Sequence, residues 1–297
     1  MEFRGVVADQ VLGVMAEYEF FRDWQAGRSG HDRYIDALEA HLPELEERFG
    51  GPWIPRFLVS RYPSSFDENV ETITRDLHEA GFVGSIPPWD GFEAFRQVMR
   101  ERYDHAEKCT SINHDEAWVL YNISAAVRPR RLVAIGSYYG YWTAWAMPGV
   151  EAADGKAVLI DPDEGDCALA QHNFDRLGHG QRTMVVPRKA EDVLPRMKKQ
   201  VDMVLLDAAG SHDHPDPTYR GKGIYAHLIG EVFDKLKDGG LLVVHNDYRR
   251  DVGGNRLCQA ELDEADAQLA PFHEFCAGHF RKCYVAATPD GVGVYLK

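Results

Sequence analysis

The sequence predicts an α/β fold: a doubly wound, seven-stranded sheet, mostly parallel with a C-terminal antiparallel hairpin, plus an N-terminal helical region. Three observations carry this. From about residue 110, five short apolar runs alternate with helical stretches, the pattern of a parallel sheet covered on both faces. The last two strand-like runs are joined by Pro289-Asp290-Gly291, a tight turn that pairs them antiparallel. Before residue 110 the apolar residues recur at the helical spacing of three and four. The chain therefore divides into a helical region, 1–109, and a sheet domain, 110–297.

In the helical region, Ile35, Leu38, Leu42, Leu45 and Phe49 fall on one face of a segment closed by Gly50 and Gly51. Ser65 with Glu68 forms a capping-box pattern ahead of Val70, Ile73 and Leu77, and Gly81 ends that helix. The turn-rich stretch 84–91 follows, then a further helix from about residue 92. The region is expected to cover the open end of the sheet as a substrate lid, a homodimer interface or both.

In the sheet domain, Asn113 with Glu116 caps a helix that Pro129 interrupts before the strand 131–135. Further strands are expected at 156–160, 183–187, 201–206 and 240–245, with helices between them. The hairpin pairs 282–288 with 291–297.

The formal net charge of −14 over 297 residues lacks the basic face that nucleic acid requires, so no nucleic-acid partner is expected. The N-terminus carries acidic residues and no apolar run of membrane-spanning length, so no membrane partner is expected either. Cys109, Cys167, Cys258, Cys276 and Cys283 are odd in number and lack a C-x-x-C spacing, as reduced thiols in a cytoplasmic protein would be.

Ligands of an open parallel sheet bind beyond the carboxyl ends of its strands. The first strand ends in Gly136-Ser137-Tyr138-Tyr139-Gly140-Tyr141. Tyr138 stands where the dinucleotide fingerprint has its second glycine, which disfavours a tight pyrophosphate turn and suits a cofactor without phosphates. A plain strand-to-helix turn is the alternative.

The second strand ends in Asp161, a carboxylate that can accept both hydroxyls of a ribose, or else cap the next helix. After the third strand, Ala190, Glu191 and Asp192 stand where an adenine can rest, unless they only complement a helix dipole. After the fourth, Asp207 precedes a polar loop with His212, Asp213, His214, Asp216, Tyr219, Arg220 and Lys222. Such a density of ionisable groups marks an active-site candidate, although most of a loop like this is ordinarily solvated surface. After the fifth come His245, Asn246 and Asp247; Asp207 with Asn246 and Asp247 offers oxygen ligands to a hard divalent cation such as magnesium, or Asp247 merely caps the next segment.

In this order the motifs over roughly 110–297 resemble class I S-adenosylmethionine-dependent methyltransferases of the catechol O-methyltransferase-like group. The stretch 246–260 is also similar to natural-product O-methyltransferases of the macrocin type. The resemblance implies a Rossmann-like fold with S-adenosyl-L-methionine as cofactor. Gly136, Ser137, Tyr138, Gly140 and Tyr141 would line its methionine part, Asp161 would bind its ribose, and Ala190 and Glu191 would edge its adenine. Asp207, beside the cofactor, would hold Mg2+ or another divalent cation together with Asn246 and Asp247.

Two positions depart from that pattern. Ala134 stands where these enzymes often carry a glutamate, and Gly210 where they carry a catalytic lysine. The resemblance implies O-methylation of a small-molecule hydroxyl; with no lysine at 210, His212 or His214 is expected to take the proton, because an imidazole suits base work at neutral pH. A metal-independent N- or C-methyltransferase and a nonenzymatic S-adenosylmethionine-binding protein are the competing readings.

Overall fold

The computed structural model describes residues 8–49, 66–106, 108, 110, 112–198, 200–247 and 259–297. Seven strands form one sheet: β1 (Arg131–Ile135), β2 (Lys156–Asp161), β3 (Thr183–Pro187), β4 (Val201–Leu206), β5 (Leu236–His245), β6 (Lys282–Ala286) and β7 (Val292–Leu296). Their spatial order is β3-β2-β1-β4-β5-β7-β6. The first five strands run parallel, and β7 lies antiparallel between β5 and β6.

The alternation expected of a pleated strand is visible in β1. Leu132 and Ala134 join one hydrophobic core, Val133 and Ile135 the other. On the first face pack α7 (His114–Val127), α9 (Met147–Ala152) and α10 (Glu164–Arg176). On the second pack α12 (Ile224–Lys235) and α13 (Gln259–His279). The sheet is doubly wound for this reason: each strand supplies apolar side chains to both layers.

The N-terminal part holds α1 (Ala8–Met15), α2 (Glu19–Gln25), α3 (His31–Ala40), α4 (Leu42–Phe49), α5 (Phe66–Glu79) and α6 (Asp90–Arg102). The expected amphipathic segment is two helices rather than one, because α3 stops at His41; Ile35, Leu38 and Leu45 are buried as the spacing predicts. Trp24 stacks on Tyr34 at 4.1 Å beside them. The Ser65 cap lies outside the described residues.

Among the described residues, packing is shared across the expected boundary between 109 and 110. Val70, Ile73 and Leu77 of α5 and Phe92 and Met99 of α6 share a core with Leu132 and Leu205 of the sheet. Asn122 Nδ2 donates to Thr74 Oγ1 at 3.0 Å, and Tyr284 OH donates to Asp76 at 3.2 Å, fastening α5 to α7 and β6. Residues 66–102 thus belong to the body of the sheet domain. Among the described residues no helix is long and apolar enough to cross a membrane.

Two of the expected ends shift. β5 begins at Leu236 rather than at 240, so the helix before it is shorter than its apolar pattern suggested. The cap of α7 is as expected: Asn113 N donates to Glu116 Oε2 at 2.9 Å. The chain visits β2 and β3 on one side of β1, then crosses to β4 and β5 on the other. That reversal places the binding crevice between the carboxyl ends of β1 and β4, at Gly136 and Asp207.

Candidate active site

Ile135 pairs in register with Ile160 on one side and Leu206 on the other, so the loops after β1, β2 and β4 open at one level. Gly136 turns there with φ +69, and a Cβ on it would lie 2.3 Å from Ala208 Cα. Only glycine lets the first and fourth strand ends approach this closely. Tyr138 keeps the left-handed backbone of a fingerprint glycine, φ +50, while carrying an aromatic ring. Its N–H donates to Asp161 Oδ2 at 2.8 Å. The loop conformation is held by a carboxylate from the neighbouring strand instead of by a second glycine.

Two cavities meet at Ile135, Gly136, Tyr138 and Asp207. The smaller, about 150 Å³, is also walled by Ser137, Tyr141, Trp142 and Thr110. The larger, about 550 Å³, runs past Asp161, Lys189, Ala190 and Glu191 to Ser211, His214 and Tyr219. Asp161 accepts from Tyr138 N and, at 3.0 Å, from Asp163 N. Burial raises its carboxyl above the ordinary carboxylate range, and those two N–H donors offset this only in part. Ser137, a residue of the smaller cavity's wall, has a buried Oγ with no hydrogen-bond partner among the described residues.

A segment ahead of α7 clamps the glycine loop. Tyr103 OH donates to Tyr139 O at 2.6 Å, His105 Nδ1 lies 2.8 Å from Tyr139 OH, and the Lys108 ammonium sits 5.4 Å from the centre of the Tyr138 ring. Asp104 N donates to Asn173 Oδ1 at 2.7 Å, and Asn173 Nδ2 returns to Asp104 O at 2.8 Å, anchoring the segment on α10.

At the ends of β4 and β5 a chain of charges alternates in sign. Lys222 Nζ lies 2.7 Å from Asp207 Oδ1, His245 Nδ1 forms an ion pair with Asp207 Oδ2 at 3.3 Å, and His245 Nε2 is 3.1 Å from Glu116 Oε2. Burial alone would raise the Asp207 carboxyl, but Lys222 and His245 hold it down at about 2. Burial alone would lower His245, yet the Asp207 and Glu116 carboxylates raise it to about 10. Glu116 also accepts the Asp290 N–H at 2.8 Å, so its carboxylate joins α7, β5 and the terminal hairpin. Although ligand-type atoms of Glu116, His245 and Asp290 lie within 4.8 Å of one another, both imidazole nitrogens face carboxylates, which favour the doubly protonated ring. His245 therefore offers no lone pair to a metal.

The expected metal set does not fit a divalent cation in this arrangement. Asp247 is fully buried in a different network, with Oδ1 2.6 Å from His273 Nε2 and Oδ2 accepting from Tyr295 OH at 2.5 Å. Asn246, at φ +57, turns the chain between the two networks. Asp207 and Asp247 each have both oxygens engaged, whereas magnesium demands near-octahedral oxygen ligation.

The other expected residues separate as follows. Gly136, Ser137, Tyr138, Tyr141, Asp161, Ala190, Glu191, Asp207 and His214 line the cavities. Gly140 does not: it starts α8 (Tyr141–Ala144) at φ +86, packed so that a Cβ would meet Phe174 Cε2 at 2.6 Å. His212 is exposed and lines neither cavity. Lys222 was legible only as one ionisable residue of the loop after β4, and Glu116 and the clamp residues Tyr103, His105 and Lys108 were not legible as site residues. Glu116 carried a signal, a cap acid, that pointed to a humbler role.

A methyltransferase-domain family profile matches residues 133–247, the stretch from within β1 through Asp247. The catechol O-methyltransferase of Mycobacterium tuberculosis is 28% identical over 149 residues, 50% of this chain and 60% of that protein. The catechol O-methyltransferase of Niastella koreensis is 26% identical over 102 residues, covering 33% of this chain and 46% of that one. The chain thus spans about half the length of these curated relatives. Among solved structures, an SAH-bound Podospora anserina methyltransferase superposes with a TM-score of 0.52 at 18% identity, covering 77% of this chain and 95% of that one. A Bacillus cereus O-methyltransferase superposes with a TM-score of 0.50 at 16% identity, covering 77% and 100%. The fold agrees with these likenesses: residues 133–247 match a methyltransferase domain, and the chain is similar in sequence to catechol O-methyltransferases.

Proposed function

We propose that this chain transfers a methyl group from S-adenosyl-L-methionine to a hydroxyl oxygen of a small molecule. The observation that carries the reading is the junction of the two cavities at Gly136, Tyr138 and Asp207, with Asp161 lining the larger and Ser137 lining the smaller. A volume of about 550 Å³ is in the range of small-molecule sites. The residues fit a cofactor with a nucleoside at one end and an amino acid at the other: Asp161 for ribose hydroxyls, Ala190 and Glu191 for the adenine edge, Ser137 for the polar amino-acid end. Bound there, S-adenosylmethionine supplies an electrophilic sulfonium methyl.

The chain's own part is alignment and a proton acceptor. Tyr138 and Gly136 fix the shared neck of the two cavities. His214 lines the larger cavity, with Nδ1 3.0 Å from the Asp216 carbonyl. The Asp216 N–H also reaches this Nδ1, at 3.2 Å; in the tautomer that instead places Nδ1–H on the carbonyl, Nε2 carries the lone pair that takes the hydroxyl proton. With its proton passed to His214, the acceptor oxygen would be able to take the methyl group of a bound S-adenosylmethionine, which would leave as S-adenosylhomocysteine.

Natural-product acceptors are the substrate class favoured by the similarity of the sequence at 246–260, most of which lies outside the described residues. Incubation with methyl-labelled S-adenosylmethionine and a panel of hydroxylated aromatics, sugars and macrolide-type alcohols tests the proposal. Label transferred to oxygen is expected; label on nitrogen or carbon, or none with every acceptor despite cofactor binding, would overturn it.

A further inference from the structure

The loop after β4 is closed by a two-residue bridge. Gly210 N donates to Gly221 O at 2.8 Å and Gly221 N to Gly210 O at 3.1 Å. Position 210 accepts only glycine, because a Cβ there would lie 1.5 Å from Tyr219 O. No longer side chain can therefore reach the site from this position. The same bridge returns the chain to the strand end one residue before Lys222, whose N–H is fixed by Gln268 Oε1 at 2.8 Å. Its Nζ donates to Asp207 Oδ1 at 2.7 Å and to Ala208 O at 3.2 Å, with the ring of Tyr225 at 5.3 Å on another side.

We infer that Lys222 is a built-in cation that occupies the cation position at the Asp207 carboxylate, so that the site works with a lysine where a divalent metal would otherwise bind. Three features support this. The ammonium is largely buried, its side chain 16% exposed, and its two oxygen partners come from the strand end itself. The second oxygen of Asp207 faces His245 Nδ1 at 3.3 Å, so both oxygens of this carboxylate already have nitrogen partners where a divalent ion would have to bind. The backbone that delivers Lys222 is fixed at both flanks, by the Gly210–Gly221 bridge before it and by α12, which begins at Ile224, after it. The consequence for the reaction is an acceptor that enters without chelating a metal through vicinal oxygens.

The inference concerns the site assigned above, but its test reads metal binding and does not depend on turnover. Mn2+ binding to the full chain is followed by electron paramagnetic resonance in four forms: the wild type, D207N, K222A and the K222A/D207N double variant. The proposal expects no Asp207-dependent Mn2+ in the wild type and one such ion in K222A, lost again in the double variant. K222R, which keeps the charge, should match the wild type, and circular dichroism checks that each form is folded. Asp207-dependent Mn2+ in the wild type overturns the proposal. Absence of Asp207-dependent Mn2+ from both the wild type and folded K222A also overturns it, because Lys222 would then have no cation position to fill. S-adenosylhomocysteine calorimetry on the same samples reports separately on the methyltransferase reading.

Discussion

His245 Nε2 lies 3.1 Å from Glu116 Oε2, so the end of β5 is bound to the first turn of α7 by a charge pair with no access to solvent. Its other nitrogen faces Asp207, and the two carboxylates raise the imidazole from 6.5 to about 10. A raised histidine stabilises the fold fully below its ordinary value and loses that contribution as pH climbs through the folded value. Asp207, lowered from 3.8 to about 2, contributes above its ordinary value and loses this as pH falls through the folded one. Thermal stability from this network should therefore hold between the two ordinary values and decline from about pH 6.5 toward 10. Melting curves of the wild type and H245Q check it: the alkaline slope should flatten in H245Q, and an unchanged slope contradicts the pairing.

Gly136→Ala tests the close approach of β1 and β4. The substitution carries both a positive φ, worth about 1–2 kcal/mol, and a Cβ 2.3 Å from the Ala208 backbone. Denaturant unfolding should show a loss larger than the dihedral cost alone. Calorimetry should show that S-adenosylhomocysteine no longer binds. A variant as stable as the wild type would mean that the strand ends are farther apart than described.

Asp161 should control cofactor affinity. Removing a charged hydrogen-bond acceptor in D161A should weaken S-adenosylhomocysteine roughly 10- to 100-fold. Because burial raises this carboxyl, wild-type affinity should begin to fall on acidification at a higher pH than an ordinary aspartate would give. D161N should show no such acid limb.

His214 and His212 should behave differently. H214A is expected to lower kcat by roughly 10²- to 10⁴-fold, the usual contribution of a positioned base, with S-adenosylhomocysteine affinity unchanged. H212A should turn over like the wild type, since His212 lines neither cavity. Full activity in H214A would remove it from the mechanism.

The sheet was legible because short apolar strands and an amphipathic helix period are local signals; β1, β3 and β4 have the expected limits. β5 was read short because Leu236 to Gly240 contains Lys237, Asp238 and two glycines, a turn-like composition that pairing with β4 overrides at Leu236. The glycine turn and Asp161 were legible because one strand–helix step fixes their spacing. Lys222 was legible as a member of the loop after β4 but its pairing with Asp207 was not, since it depends on a bridge between Gly210 and Gly221. Glu116 read as a helix cap, and its second role depends on His245 and Asp290, far away in sequence. Asp247 looked equivalent to Asp207 at a neighbouring strand end, yet its carboxylate joins His273 and Tyr295.

The most direct test is calorimetric titration of the wild-type protein and D161A with S-adenosylhomocysteine, and of the wild type with NAD. The cavities joined at Gly136 and Tyr138 predict one S-adenosylhomocysteine site per chain, weakened in D161A, and no NAD binding. Binding of NAD without S-adenosylhomocysteine, or S-adenosylhomocysteine affinity indifferent to Asp161, would contradict the assignment of this crevice to a sulfonium cofactor.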